Sequence, residues 1–160
     1  MSTTSETTAV RLQIEVDVPQ EHAFRVFTEQ FGQIKPRDHN LLAVDIAETV
    51  FETHVGGQLY DRGVDGSECR WGRVLVFEPP ARFVVTWDIS PRWELDEDPE
   101  HSSEVEVTFT AQGPESTIVE LEHRNLDRHG AGWQDLRDQV AADGGWPLYL
   151  QRFKDAATRA

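Results

Sequence analysis

The 160-residue sequence predicts an α+β protein: an antiparallel meander with one apolar face and helices gathered on that face. Three observations predict it. Two runs alternate between apolar and polar residues with strand period, Val10 to Val18 and Arg82 to Ile89. Two segments have helical period instead, one carrying Phe24, Phe27 and Phe31 and the other spanning Gly132 to Ala157. The order along the chain is strand, helix, six strands, long helix, with hairpin-like links and no internal repeat.

Residues 1–8 are rich in Ser and Thr and are expected to be flexible, and 9–158 form a single domain. Val10, Leu12, Ile14, Val16 and Val18 alternate with Arg11, Gln13, Glu15 and Asp17 as a half-buried strand. Pro19 ends it and presets the first turn of the phenylalanine-striped helix. An irregular passage containing Pro36 leads to a strand over Ile46 to His54. Gly56-Gly57 and Asp65-Gly66 then bracket a short strand, Gln58 to Arg62. Further strands are predicted over Cys69 to Phe77, Arg82 to Ile89, Ser103 to Ala111 and Thr117 to Arg124, with turns at Pro79-Pro80 and Gly113-Pro114. In the final segment, Trp133, Leu136 and Val140 make one apolar stripe and Trp146, Leu150, Phe153 and Ala157 a second. Gly144-Gly145 and Pro147 intervene, so a kink or restart is expected there. Ala141, Ala142, Gly144 and Gly145 leave this cover thin at its centre, opposite a wall ending in Trp87.

Composition narrows the function. A net charge of −14 repels phosphate backbones and anionic headgroups, which argues against nucleic-acid or membrane partners. The amino terminus has no basic and apolar leader, and no run of about eighteen apolar residues occurs, so neither secretion nor a membrane span is expected. One cysteine, Cys69, cannot form an internal disulfide, and the expected setting is cytoplasmic. His54, His123 and His129 lack zinc-site spacing, and the acidic loop around Asp96, Glu97, Asp98 and Glu100 lacks calcium-loop spacing; no metal or other cofactor is expected. There is no nucleophile elbow and no phosphate-binding glycine loop, so no catalytic residue is assigned. His123 has the inward parity of Val119 and Leu121 on its strand and serves either structure or an orienting hydrogen bond to a ligand. Trp87, Trp133 and Trp146 sit on stripes expected to face the interior. Trp71 and Arg73 share a parity that a bulge would change; an inward Arg73 would anchor a ligand carboxylate.

The PPARFVVTW run (Pro79 to Trp87), Gly72-x-Val74, Gly56-Gly57, Ser103-Glu104-Val105-x-Val107, Glu120-Leu121-x-His123 and Gly132-Trp133 together resemble the bacterial relatives of the heat shock protein 90 ATPase activator homologue, in the START-like or SRPBCC superfamily. The resemblance covers roughly residues 9 to 158. It implies a helix-grip fold, a curved antiparallel sheet wrapped around a long carboxy-terminal helix, with a cavity between them that in many relatives holds an apolar small molecule. It implies no single reaction, because the superfamily includes lipid carriers, hormone receptors and cyclases. The eukaryotic activator carries an additional amino-terminal domain for which this chain has no room, so chaperone contact is not expected.

The expectation is therefore a module that binds a small hydrophobic molecule, in a cavity lined by Phe27, Phe31, Trp87, Phe109, Leu121, His123, Val140 and Trp146. An enzyme acting on such a molecule, with His123 and Tyr60 or Arg73 as polar participants, and a protein-interaction partner in a stress response are the alternatives. A homodimer is compatible with either.

Overall fold

A computed structural model describes residues 7–159. Seven strands form one antiparallel, curled half-barrel sheet: β1 (Val10–Val16), β2 (Ile46–Phe51), β3 (Gln58–Gly63), β4 (Glu68–Glu78), β5 (Arg82–Trp87), β6 (Ser103–Gly113) and β7 (Ser116–Arg124). Their spatial order is β1-β7-β6-β5-β4-β3-β2. The chain thus runs as a hairpin meander from β2 to β7, and β1 then closes the far edge, pairing Val10 with His123 and Val16 with Thr117. Helices α1 (Gln20–Glu29) and α2 (Phe31–Ile34) precede the meander, and α3 (Trp133–Ala141) and α4 (Trp146–Arg159) follow it. Of the stretch expected to be flexible, residues 1–6 lie outside the described residues. Thr7 and Thr8 are tied down, their carbonyls accepting from the Arg137 guanidinium at 3.1 Å and from the Leu126 N–H at 3.0 Å.

The alternating patterns bury what they predict. Phe83, Val85, Trp87 and Ile89 are all buried, although β5 itself ends at Trp87 and Ile89 makes only an isolated bridge to Leu95. The phenylalanine helix is divided at Gln30, whose ψ of 27° departs from the helix, so Phe31 opens a separate short turn. Phe24, Phe27, Phe83, Phe109 and Phe153 meet in the concavity, with ring centroids 4.9 Å apart for Phe27–Phe153 and 5.1 Å for Phe24–Phe109. Each buried ring contributes roughly 1.5–3 kcal/mol by leaving water. On the outer face Arg124 reaches Glu104, Glu106 and Glu122 across β6 and β7, and Arg82 reaches Glu78 and Glu106. Trp133 is only half-buried and carries the Arg137 guanidinium 5.2 Å above its ring, so it flanks the core instead of filling it.

Two bulges in β4 resolve the parity of Trp71 and Arg73. Opposite β3 the register slips at Trp71, and opposite β5 it slips at Leu75. Trp71 turns inward and is buried, whereas Arg73 is half-exposed, 3.6 Å from Asp88.

The terminal segment is two helices, with a step at residues 142–145 in place of a mere kink. The cause is local. Gly145 donates its N–H to the Ala142 carbonyl and accepts from Leu148 and Tyr149, so it stands at the start of α4 and places Pro147 in the first turn, where a missing N–H costs nothing. A Cβ on Gly145 would lie 2.3 Å from the Val140 carbonyl oxygen, whereas one on Gly144 would meet nothing within 4 Å. Gly145→Ala is therefore expected to destabilise the fold by about 1–3 kcal/mol and Gly144→Ala to stay within about 0.5 kcal/mol of the wild type, as measured by urea unfolding.

Candidate functional site

The step between α3 and α4 opens onto a cavity of about 500 Å³. Val140, Ala142, Gly144, Gly145, Trp146 and Tyr149 form its roof, Asp61, Trp71 and Trp87 its floor on the sheet, and Lys35 to Leu41 and Trp93 its sides. A sealed dry void of that size would cost roughly 12 kcal/mol at ~24 cal/mol per Å³, as much as a whole domain's stability. The space is open instead: Trp93 and Leu41 at its rim are 43% and 37% exposed.

The structure places Trp87, Val140 and Trp146 of the eight expected lining residues on this wall and the other five elsewhere. Phe27, Phe109 and Leu121 close against one another and Phe153 in the solid part of the core, because α4 is continuous there and presses into the sheet. Phe31 packs behind the wall, against Trp71 and Tyr149. His123 faces inward and is completely buried behind Trp146, whose Nε1 donates to its Nδ1 at 3.0 Å. Tyr60 and Arg73 do not line the cavity. The Tyr60 hydroxyl takes a hydrogen bond from Arg62, and Arg70 covers its ring at 4.7 Å.

Four polar residues of the wall escaped the sequence reading. Asp61 shares the inward parity of Leu59 on β3, and its Oδ2 lies 3.0 Å from Lys35 Nζ while its Oδ1 accepts from the Thr49 hydroxyl at 2.6 Å. Both charged side chains are almost wholly buried. Lys35 also donates to the His39 carbonyl, which leaves one of its three N–H groups free of any partner among the described residues. Arg152 on α4 anchors this loop by donating to the Ile34 and Gln33 carbonyls at the end of α2. His39 Nδ1 and the Tyr149 hydroxyl are 2.8 Å apart with their rings stacked. Burial holds His39 below the ordinary imidazole range against the raising effect of Asp38, and burial pushes the Tyr149 phenol up, so both are neutral near pH 7. Tyr149 was legible in principle, three residues from Trp146 on the same helical stripe. Asp61 shares the strand parity of Leu59, whereas Lys35 and His39 carry no periodic signal, since loop geometry brings them in.

The site thus has indole walls, Trp71, Trp87, Trp93 and Trp146, and one polar end made by Lys35–Asp61 and His39–Tyr149. The buried indole N–H groups of Trp71 and Trp87 have no hydrogen-bond partner among the described residues. Such an arrangement stacks flat aromatic surface and offers donors to oxygen. Among the described residues no three His, Cys, Asp or Glu side chains are grouped to hold a metal ion, and no helix is long and apolar enough to cross a membrane.

Removing Lys35 as Lys35→Met leaves the Asp61 carboxylate buried and unpaired, and a loss of about 3–5 kcal/mol is expected in chemical denaturation, most of it recovered in Lys35→Met/Asp61→Leu. A second expectation concerns pH. Burial, aided by neighbouring His129, lowers His123 to about 3; burial, aided by His101 and Arg128 and opposed by Asp96 and Asp88, lowers His129 to about 4. The unfolded chain takes up these protons near the ordinary 6.5 and the folded one does not, so stability is full above 6.5 and falls as pH drops toward 4 and 3. Between pH 7 and pH 5, where most carboxylates stay ionised, His123→Gln should abolish about 2 kcal/mol of the wild-type loss, measured by urea unfolding at the two pH values.

A model of the family described as Activator of Hsp90 ATPase homolog 1-like protein matches residues 17–158. No curated protein matches the chain. Among solved structures, an anthrahydroquino-γ-pyrone synthase, Txn09, complexed with SUM, is 36% identical, covers 94% of this chain and 97% of its own, and superposes with a TM-score of 0.66. CalC from Micromonospora echinospora, a self-sacrificing resistance protein, is 29% identical over 94% of each chain, with a TM-score of 0.67. Protein NE0264 from Nitrosomonas europaea, 14% identical over 99% of each chain with a TM-score of 0.68, shares the fold. The helix-grip architecture and the match over residues 17–158 make this chain a member of the Activator of Hsp90 ATPase homolog 1-like family.

Proposed function

We propose that the protein binds a planar, polycyclic aromatic small molecule bearing carbonyl or phenolic oxygens, stacked between the indoles of the cavity with its oxygens toward Lys35 and Tyr149. The observation that carries this reading is the cavity itself: about 500 Å³, four tryptophans on its wall and the Lys35–Asp61 and His39–Tyr149 pairs at one end. A volume in the range of ligand pockets, left open by a step in the covering helix, suits a ring system better than a flexible fatty chain, which indole faces do not stack. One relative supports the class, a synthase named for an anthrahydroquino-γ-pyrone product.

The relative at 36% identity also favours a second reading, in which the bound molecule is transformed. His39 and Tyr149, hydrogen-bonded at the polar end, could pass a proton to or from a ligand oxygen while Lys35 steadies negative charge on it. New product from a candidate precursor, lost in Tyr149→Phe with binding retained, would establish it. A cytoplasmic setting is part of the proposal, supported by the single buried thiol of Cys69, which burial holds in its protonated form.

The test is titration with 1,8-dihydroxyanthraquinone, followed by tryptophan fluorescence and calorimetry. Saturable one-to-one binding is expected, with Trp87→Ala weakening it at least about tenfold through lost stacking area. Ala142→Phe, which grows into the cavity from its roof, should abolish binding while leaving the unfolding midpoint within a few degrees. Equal binding by wild type and Ala142→Phe would overturn the reading.

A further inference from the structure

Behind the cavity wall, four side chains form an unbroken hydrogen-bonded line. Trp146 Nε1 donates to His123 Nδ1 at 3.0 Å, His123 Nε2 lies 2.7 Å from Ser103 Oγ, and the same Oγ lies 2.7 Å from His129 Nε2. Ser103 and His123 are completely buried, and Trp146 and His129 nearly so. The line crosses four elements: α4, the adjacent ends of β7 and β6, and the helical turn Leu126–His129 that follows β7.

Counting protons gives the line a direction. An indole nitrogen can only donate, so His123 Nδ1 is bare and the single proton of this neutral imidazole sits on Nε2, toward Ser103. Ser103 Oγ accepts it and has one proton of its own, for which His129 Nε2 is the acceptor in reach. His129 then carries its proton on Nδ1. That atom has no partner among the described residues, and His129 lines a second cavity, about 600 Å³, together with Asp96 and His101. The serine hydroxyl can accept from one histidine and donate to the other through a single atom, which is the role it fills here.

Trp146 has a particular need of such a hold. It is the first residue of α4, directly after the step at residues 142–145, where no preceding helical turn braces it, yet it forms the cavity roof against Trp87 and Tyr149. We propose that Ser103 is a positioning residue which, by linking His123 to His129, locks the Trp146 indole as a rigid wall of the ligand cavity. Its effect on affinity rests on the binding reading above; the lock itself is measurable without ligand.

The test uses the full-length ¹⁵N-labelled protein at pH 7. Two-bond ¹⁵N–¹H correlations should show His123 as the Nε2–H tautomer and His129 as the Nδ1–H tautomer. Ser103→Ala should raise hydrogen exchange at the Trp146 indole at least about tenfold, with the Trp93 and Trp133 indoles as unchanged controls, and weaken 1,8-dihydroxyanthraquinone about fivefold; Ser103→Thr, which keeps the hydroxyl, should restore both. The opposite tautomer at either histidine, or unaltered Trp146 exchange in Ser103→Ala, would overturn the proposal. If Ser103→Ala does not fold, the wild-type tautomers decide. Faster Trp146 exchange in a protein that binds no probe would support the lock and overturn the binding reading instead.

Discussion

The close approach of Gly145 to the Val140 carbonyl governs the architecture of this protein. The terminal segment could have been one helix lying flush on the sheet, as its two apolar stripes would allow, but the chain turns at residues 142–145 so tightly that no side chain fits at 145. Everything that distinguishes the upper half of the molecule from the lower follows. Below the step, α4 is regular and brings Phe153 against Phe27 and Phe109. Above it, Ala142 and two glycines thin the cover, and Trp71 and Trp87, though buried, border the cavity.

The cavity also borders a buried charge pair. Lys35 and Asp61 sit where β3 and the loop after α2 meet, paired with each other and with Thr49 and the His39 carbonyl. In a filled core such a pair would be a net burden. Beside a cavity it leaves one donor for a ligand at the cost of a single desolvated pair. His123 illustrates the other solution to polar burial: held neutral, it satisfies both ring nitrogens inside the protein and takes no part in the cavity surface.

Membership of a family whose relatives include a synthase and a resistance protein fits this division of labour. The cavity residues are those that the helix step, a β4 bulge and the loop after α2 bring to one space, and the function proposed above rests on them.

The sequence by itself determined the architecture and the break in the final helical segment. Alternation in Val10 to Val16 reports which face packs on the core, because a strand's period is exact, whereas on Arg82 to Ile89 the polar-side residues Val84, Thr86 and Asp88 are buried as well. Glycines before Pro147 report a break, because both residues restrict the backbone locally. It also placed Trp87, Val140 and Trp146, whose stripes point at the thin part of the cover. Only the tertiary structure decided the rest. Phe27, Phe109 and Leu121 share the inward parity of the wall residues, and parity says which face a side chain takes but not whether a helix above it is straight or interrupted. Trp71 faces inward through a bulge, which shifts register without a sequence period, and Asp61, though it shares the parity of Leu59, is a carboxylate whose burial depends on Lys35 from a distant segment. Lys35, His39 and the Ser103 link between two histidines arise from contacts between segments distant along the chain, and no local pattern encodes them.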